Sequence, residues 1–223
     1  MFAHIAEQKW DAEVLVVNDG SRDDTPDIVR GYMARHPNLR LLENPGNKGK
    51  GYSVRHGMMG GTGDVLLLTD ADLSSPIYEA GKLFEAISAG SDIAIGSRWR
   101  DPSTQTVRQP WYRQLGGRVL NLAIRILLGL RIRDTQCGFK AFTRQAAKSI
   151  FPPQKTERWG FDPEILYLAK RLGFTITEVP VEWAHDDRSK ISPVRDAIGI
   201  VRDIVRVRLR VLFGGYSGVK RAG

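Results

Sequence analysis

Asp64-Val65-Leu66-Leu67-Leu68-Thr69-Asp70-Ala71-Asp72 is an apolar run of strand length that stops abruptly at two carboxylates. It reads as a strand from Val65 to Thr69. The same design stands upstream, where Glu13-Val14-Leu15-Val16-Val17 runs into Asn18-Asp19-Gly20-Ser21. It stands downstream too, where Asp92-Ile93-Ala94-Ile95-Gly96 ends at Ser97-Arg98. Helical signals lie between these strands. Asp23-Asp24-Thr25-Pro26 offers helix-start chemistry ahead of an apolar stripe at Ile28, Val29, Tyr32 and Met33. Leu39 to Leu42 reads as a further strand, Asn47 to Met59 as a glycine-rich helical segment, and Ile77 to Ser88 as a helix. Strands alternating with helices predict an α/β architecture with a mixed, mostly parallel sheet flanked by helices. Ligands of such sheets collect beyond the C-terminal strand ends, so Asp19, Asp70, Asp72 and Arg98 are expected to share one crevice.

Past Arg98 the pattern changes. Residues Trp99 to Pro110 read as a polar loop, followed by a helix from Trp111 to Leu128 with an apolar stretch from Leu120 to Leu130. A short strand near Phe139 to Phe142, a helix from Pro163 to Leu172 and a strand from Thr175 to Trp183 come next. A polar loop from Ala184 to Ser192 leads into a last helix, Pro193 to Phe213, in which arginines interrupt aliphatic residues. That helix suits either an anionic bilayer surface or a place on the core with a solvated basic face. The organisation expected is one domain over residues 1–213, ending in the basic amphipathic helix 193–213, then a tail over 214–223 whose Lys220-Arg221 reads as disordered.

Composition narrows the function. A chain of 223 residues with 42% hydrophobic content can bury one substantial core. Its 33 basic against 25 acidic residues, net charge +8, favour an anionic partner. The single cysteine, Cys137, has no disulfide partner within the chain and reads as a small buried residue. The four histidines match no zinc spacing. No apolar run reaches the roughly 18 residues of a membrane span, and no signal-peptide pattern opens the sequence, so the expected location is cytoplasmic, peripheral to a membrane.

The two acids of Asp70-Ala71-Asp72 can hold a hard divalent cation and substrate hydroxyls, since Mg2+ keeps several waters and takes phosphate oxygens as ligands. Asp72 has a second reading as a helix cap, and Asp19 one as ordinary Asp-Gly turn chemistry. Gly46-Asn47-Lys48-Gly49-Lys50-Gly51 lacks the spacing of a nucleotide-triphosphate loop. It can nonetheless bring Lys48, Lys50 and backbone donors to a diphosphate, or be a flexible basic turn. His185-Asp186-Asp187-Arg188-Ser189-Lys190 is either a loop that closes over a phosphate or a solvated charge run.

Taken in order, VVNDGSRDDT, NKGKGYSVRHG, DVLLLTDADLSSP, IGSRW, DTQCGFKAF, WGFDPEILYLAKRLG, EVPVEW and RSK resemble glycosyltransferase family 2, in its dolichyl-phosphate β-glucosyltransferase and polyprenyl-phosphate branch. The resemblance covers about residues 10–213. It implies a GT-A fold and an inverting displacement at the anomeric carbon of a nucleotide-diphosphate sugar by a lipid phosphate oxygen, assisted by Mg2+ or Mn2+. By motif match, Asp19, Gly20, Lys48, Lys50, Asp70, Ala71 and Asp72 would bind the nucleotide sugar, with Asp72 and Asp70 at the metal. Asp72, Arg98, Arg188 and Lys190 would carry catalysis, and Arg98, Gln136, Lys140, Arg188 and Lys190 would meet the acceptor phosphate. One departure stands out. Family members begin with an apolar strand ending in a P-x-Y-N-E-like block, whereas this sequence starts at Met1-Phe2-Ala3-His4 in what reads as the following helix, so the first strand is expected to be missing. The donor expected is UDP-glucose. The rivals are GDP-mannose and a truncated, non-catalytic nucleotide- or nucleic-acid-binding protein, and the lack of any recognised nucleic-acid module weighs against nucleic acid. The sequence does not fix the oligomeric state.

Overall fold

The computed structural model of the chain describes residues 1–99, 105–107, 111–184 and 193–222. It opens with a short helix, α1 (Phe2–Glu7), followed by β1 (Val14–Asn18), α2 (Thr25–Met33) and β2 (Leu39–Glu43). β1 and β2 pair in parallel, with Val14 opposite Leu39, and among the described residues β1 has no other strand partner. Next come α3 (Lys50–Gly60), β3 (Val65–Leu68), a 3₁₀ turn at Ile77–Glu79, α4 (Ala80–Ser88) and β4 (Ile93–Ser97). α3 packs on both β1 and β3 and so ties the two-stranded sheet to the larger one.

The larger sheet has the order β3-β6-β4-β7, with β6 at Lys140–Thr143 and β7 at Ile176–Pro180. β4 and β7 are parallel, but β6 runs antiparallel to both neighbours. The sheet is therefore mixed, as expected. The reversed strand is four residues long and begins with a lysine, so its sequence carries no sign of a central position. β4 is buried at all five residues, and Ile93, Ala94 and Ile95 are wholly inaccessible. Each such isoleucine contributes about 1.5–3 kcal/mol by leaving water. Leu83 of α4, and Ile165 and Leu166 of α7 (Phe161–Arg171), belong to the same buried core.

Several elements depart from the sequence reading. The expected strand from Thr175 to Trp183 divides into β7 and a two-residue β8 (Trp183–Ala184), because Pro180 has no N–H to continue a ladder. β8 pairs in parallel with β5 (Gln105–Val107), which lies within the stretch read as loop. α6 (Arg144–Ile150) was not anticipated, and it is capped by the Thr143 hydroxyl, which accepts from the Ala146 N–H at 3.2 Å. α5 (Trp111–Leu128) and α8 (Pro193–Leu212) match expectation and pack against each other. The tail through residue 222 is anchored, contrary to the disorder expected at Lys220-Arg221. Tyr216 is buried, Arg221 lies 4.2 Å over Phe174 and donates to the Leu172 carbonyl at 2.7 Å, and the Ala222 N–H donates to Ser149 at 2.8 Å.

Candidate active site

Asp19 stands one residue past β1 and organises the loop that leads into α3. Its Oδ1 accepts from the Lys48 N–H and from Asn44 Nδ2, and its Oδ2 from the Gly49 N–H, all at 2.8 Å. Burial alone would push this carboxyl up. The hydrogen bonds from Asn44, from the Lys48 and Gly49 backbone and from Ser53 outweigh it and hold the group below the usual carboxylate range. Gly20 is required beside it: its φ is +73°, and a Cβ there would lie 2.8 Å from the Gly46 carbonyl carbon. Asn44, the buried residue after β2, was missed by the sequence reading. An asparagine after a strand looks like turn punctuation, and only the fold shows it between Asp19, Ser53 and His56.

This loop delivers Lys50, the first residue of α3, to the end of β3. Its ammonium lies 2.6 Å from Asp70 Oδ1 and 5.4 Å over the Trp159 ring. Burial would lower the Lys50 pKa, but Asp70, Asp162 and Asp72 outweigh it and raise it above the ordinary lysine value. Asp72 is exposed, and its Oδ1 accepts from the Ser74 N–H at 2.9 Å, an Asx turn rather than the helix cap considered from sequence. Its second oxygen has no partner described. Leu73, directly after Asp72, has φ +51°, a left-handed conformation that costs about 1–2 kcal/mol for a residue with a Cβ, so the turn that follows the two acids is held against its own preference. From the far side Gly138 approaches so closely that a Cβ there would collide with the Asp70 carboxylate.

Lys140, read as an acceptor-phosphate residue, is wholly buried at the start of β6. Its ammonium donates to Asp162 at 2.5 Å and to the Cys137 carbonyl. Burial raises the Asp162 carboxyl, against the pull of Lys140 and Lys50. Arg98, at the end of β4, is likewise committed within the protein. Its backbone N–H, Nε and Nη2 donate to the buried Asp134 at 3.0, 2.8 and 2.8 Å. Burial opposes the Asp134 charge, yet Arg98 wins and holds the carboxyl below the usual range. Burial pushes the Cys137 thiol up to about 11, which leaves it protonated at neutral pH and fits the apolar role read from sequence. Asp134 and Asp162 lie inside the quoted blocks but drew no attention. An acid in the first turn of a helix, as Asp162 is in α7, reads as a complement to the helix dipole.

Lys48, Lys50, Asp19, Asp70 and Asp72 are therefore linked through one loop and one ion pair, and Lys140 joins them through Asp162. Arg98 sits with Asp134 at the end of β4, which β6 separates from β3. Ala71 is exposed between the two acids, and Gln136 is half-buried next to Cys137. Arg188 and Lys190 lie outside the described residues. Among the described residues no three His, Cys, Asp or Glu side chains cluster as a metal cage. Asp70 and the open oxygen of Asp72 remain as hard ligands. They fit a cation that completes its shell with water and phosphate oxygens.

The family model described as glycosyl transferase family 2 matches residues 1–151. A dolichyl-phosphate beta-glucosyltransferase of Dictyostelium discoideum is 37% identical over 92% of the chain, and the human protein of that name is 32% identical over 92%. The chain spans 65% of the length of each. Among solved structures, glucosyl-3-phosphoglycerate synthase from Mycobacterium tuberculosis in complex with UDP superimposes with a TM-score of 0.63, at 20% identity over 93% of this chain and 73% of that one. That likeness shows the fold, the GT-A arrangement expected from the sequence blocks.

Proposed function

Because the chain belongs to glycosyl transferase family 2, we propose that it transfers a sugar from a nucleotide diphosphate to the phosphate of a polyprenyl lipid, with glucose from UDP-glucose and a dolichyl-type acceptor as the leading pair. The names of its relatives support this choice of donor sugar and acceptor. The observation that carries the reading is Lys50: one ammonium is shared by the first acid of the DxD turn and a loop braced by Asp19, with Asp72 open to solvent beside it. This arrangement can receive a diphosphate and a cation together.

In this reading an acceptor phosphate oxygen attacks the anomeric carbon as the bond from that carbon to the diphosphate oxygen breaks, inverting the centre. A phosphate monoester is already anionic at neutral pH, so its attack needs no general base. Mg2+ or Mn2+ held by Asp72 and Asp70 would supply charge neutralisation at the leaving diphosphate; solved relatives of the fold hold Mn2+ with UDP. Lys48 and Lys50, with the α3 N-terminus, offer further positive potential to the diphosphate. Asp19 keeps the loop in place for them. Arg98 fixes the end of β4 through Asp134 and positions the loop of residues 133–137, which includes Gln136. Arg188 and Lys190 retain their proposed role at the phosphates on the motif match alone. We place the protein at the cytoplasmic face of a membrane, where a lipid phosphate is presented; no helix among the described residues is long and apolar enough to cross one.

The test is transfer of labelled sugar to a polyprenyl phosphate, with and without Mg2+ or Mn2+, beside Asp72→Ala. Metal-dependent glucose transfer that the variant loses is the expected result. Transfer from GDP-mannose alone would keep the chemistry and change the donor. Full activity in Asp72→Ala would refute the assignment of this turn.

A further inference from the structure

Glu164 of α7 is buried, and the donors it accepts come from two separate stretches of the chain. Its Oε1 takes the Lys155 N–H at 2.9 Å and its Oε2 the Thr156 N–H at 2.7 Å, which fixes the loop of residues 154–160. A further donor comes from the C-terminal tail: the hydroxyl of buried Tyr216, shortly beyond α8, reaches the same Oε1 at 2.5 Å. Burial and, next, the Glu164 charge raise the Tyr216 pKa above the usual phenol value, so the hydroxyl remains a donor at neutral pH. The Lys155 ammonium adds a second tie to the tail, donating to the Gly215 carbonyl at 3.1 Å.

The loop so held is the wall against which α3 starts. The first N–H groups of a helix have no partner inside it, and here that of Tyr52 donates to the Glu157 carbonyl at 3.0 Å. The buried Gln154 amide donates to the Gly51 carbonyl at 2.8 Å, and Arg55 donates to the Gln154 carbonyl at 2.7 Å. The two backbones touch so closely that a Cβ on Gly49 would lie 2.7 Å from the Glu157 carbonyl oxygen, and one on Gly51 would collide with that of Thr156. Lys50 lies between these glycines, and the same loop sets the Trp159 ring over its ammonium. One carboxylate thus joins the C-terminal tail to the loop that seats Lys50.

We propose that Tyr216 is a positioning residue: its hydroxyl, acting through Glu164, clamps the loop of residues 154–160 against the start of α3 and so sets Lys50 for a diphosphate. A tail that served only as packing would need the ring and not the hydroxyl. Without the hydroxyl a buried carboxylate oxygen loses one donor, and the two loop N–H groups must hold the charge with Arg210 3.8 Å from that oxygen. The clamp's purpose rests on the transfer reading, which supplies the diphosphate; the clamp itself is measurable without a ligand.

The experiment compares wild type, Tyr216→Phe and Arg221→Ala, the last of which cuts the tail's anchor at Leu172 and Phe174 without touching Glu164. Amide exchange is followed without ligand, well below each melting temperature, and binding of UDP with Mn2+ is measured by calorimetry. In Tyr216→Phe, exchange should rise about tenfold at Thr156 and, one bonded step further, at Tyr52. UDP with Mn2+ should bind that variant about fivefold more weakly. Arg221→Ala should melt lower and show neither change. Faster exchange at both amides in a protein that binds no UDP would uphold the clamp and refute the transfer reading. Wild-type UDP binding in Tyr216→Phe, or faster exchange confined to residues 155–156, would overturn the clamp and leave that reading standing. So would Arg221→Ala reproducing the whole pattern, because a loosened tail, and not the hydroxyl, would then account for it.

Discussion

Arg98 invites two accounts: a cation for substrate phosphate, or one held by the protein. The geometry favours the second, and a double-mutant cycle tests it. Asp134 is 2% exposed and takes three hydrogen bonds from Arg98. Asp134→Asn leaves a largely buried guanidinium without its counter-charge, and breaking such a pair costs about 3–5 kcal/mol. For a domain of this size each kcal/mol shifts Tm by about 2–4 °C, so a fall of roughly 6–20 °C is expected by calorimetry. Arg98→Met should cost a similar amount. The double variant Arg98→Met, Asp134→Leu should cost much less than the sum, because neither charge is then left alone. Urea titrations of all four proteins give the coupling. The sign with pH is also fixed. Asp134 has its folded-state pKa lowered, so its contribution is complete above the unfolded value of about 3.9 and fades as pH falls from there towards the folded value. Asp134→Asn should flatten that part of the acid limb. A cost below about 1 kcal/mol, or singles that add within about 0.5 kcal/mol, would refute the buried pair and return Arg98 to the substrate.

Two further outcomes follow from the same geometry. Gly138→Ala would place a Cβ against the Asp70 carboxylate; it should cost about 1–3 kcal/mol of stability and weaken calorimetrically measured binding of UDP with Mn2+ by about tenfold, and unchanged binding would mean Asp70 has room to move. Asp19→Asn turns one acceptor oxygen into a donor facing the loop's N–H groups, so amide exchange at Lys48 and Gly49 should accelerate and stability fall by about 1–3 kcal/mol, whereas unaltered exchange would show the loop is held by other means.

The strand ends were legible because apolar runs that stop at acids are a one-dimensional signal: Val65 to Leu68 followed by Asp70 needs no partner to be read. The burial of Lys140 was not legible. Its strand is four residues long, and its counter-ion lies 22 residues on, in a helix turn where acids are common for another reason. Arg98 was singled out correctly as a strand-end cation, but its partner comes 36 residues later in a loop with no periodic pattern. Long-range ion pairs leave no trace in local periodicity. For the same reason Glu164, in α7, reads as an ordinary helix acid although it is buried and braces the Lys155 and Thr156 N–H groups and the Tyr216 hydroxyl. That brace helps hold down a tail that composition marks as loose.

The pairings have a consequence for binding. Lys50 faces Asp70, Lys140 faces Asp162 and Arg98 faces Asp134, so among the described residues each of these strand-end cations stands beside an acid. Among the described residues Lys50, Lys140 and Arg98 therefore add no unpaired positive charge here, and a diphosphate arriving alone finds Lys48 as the cation of this group with no acid described beside it. A divalent cation arriving alone meets Asp70 already paired with an ammonium. In the proposed transfer reading Asp70 and Asp72 would hold the cation, and Lys50, no longer paired with Asp70, would be free to face phosphate. UDP and Mn2+ should then each bind weakly alone and tightly together, and linkage requires the enhancement to be equal in both directions. Lys50→Met removes the competitor for Asp70. It should tighten Mn2+ binding in the absence of UDP, weaken UDP binding by about tenfold, and shrink the coupling between them, read by Mn2+ electron paramagnetic resonance and calorimetry. Coupling of wild-type size in Lys50→Met would sink this exchange of partners, because no other ammonium among the described residues lies within ion-pair distance of Asp70.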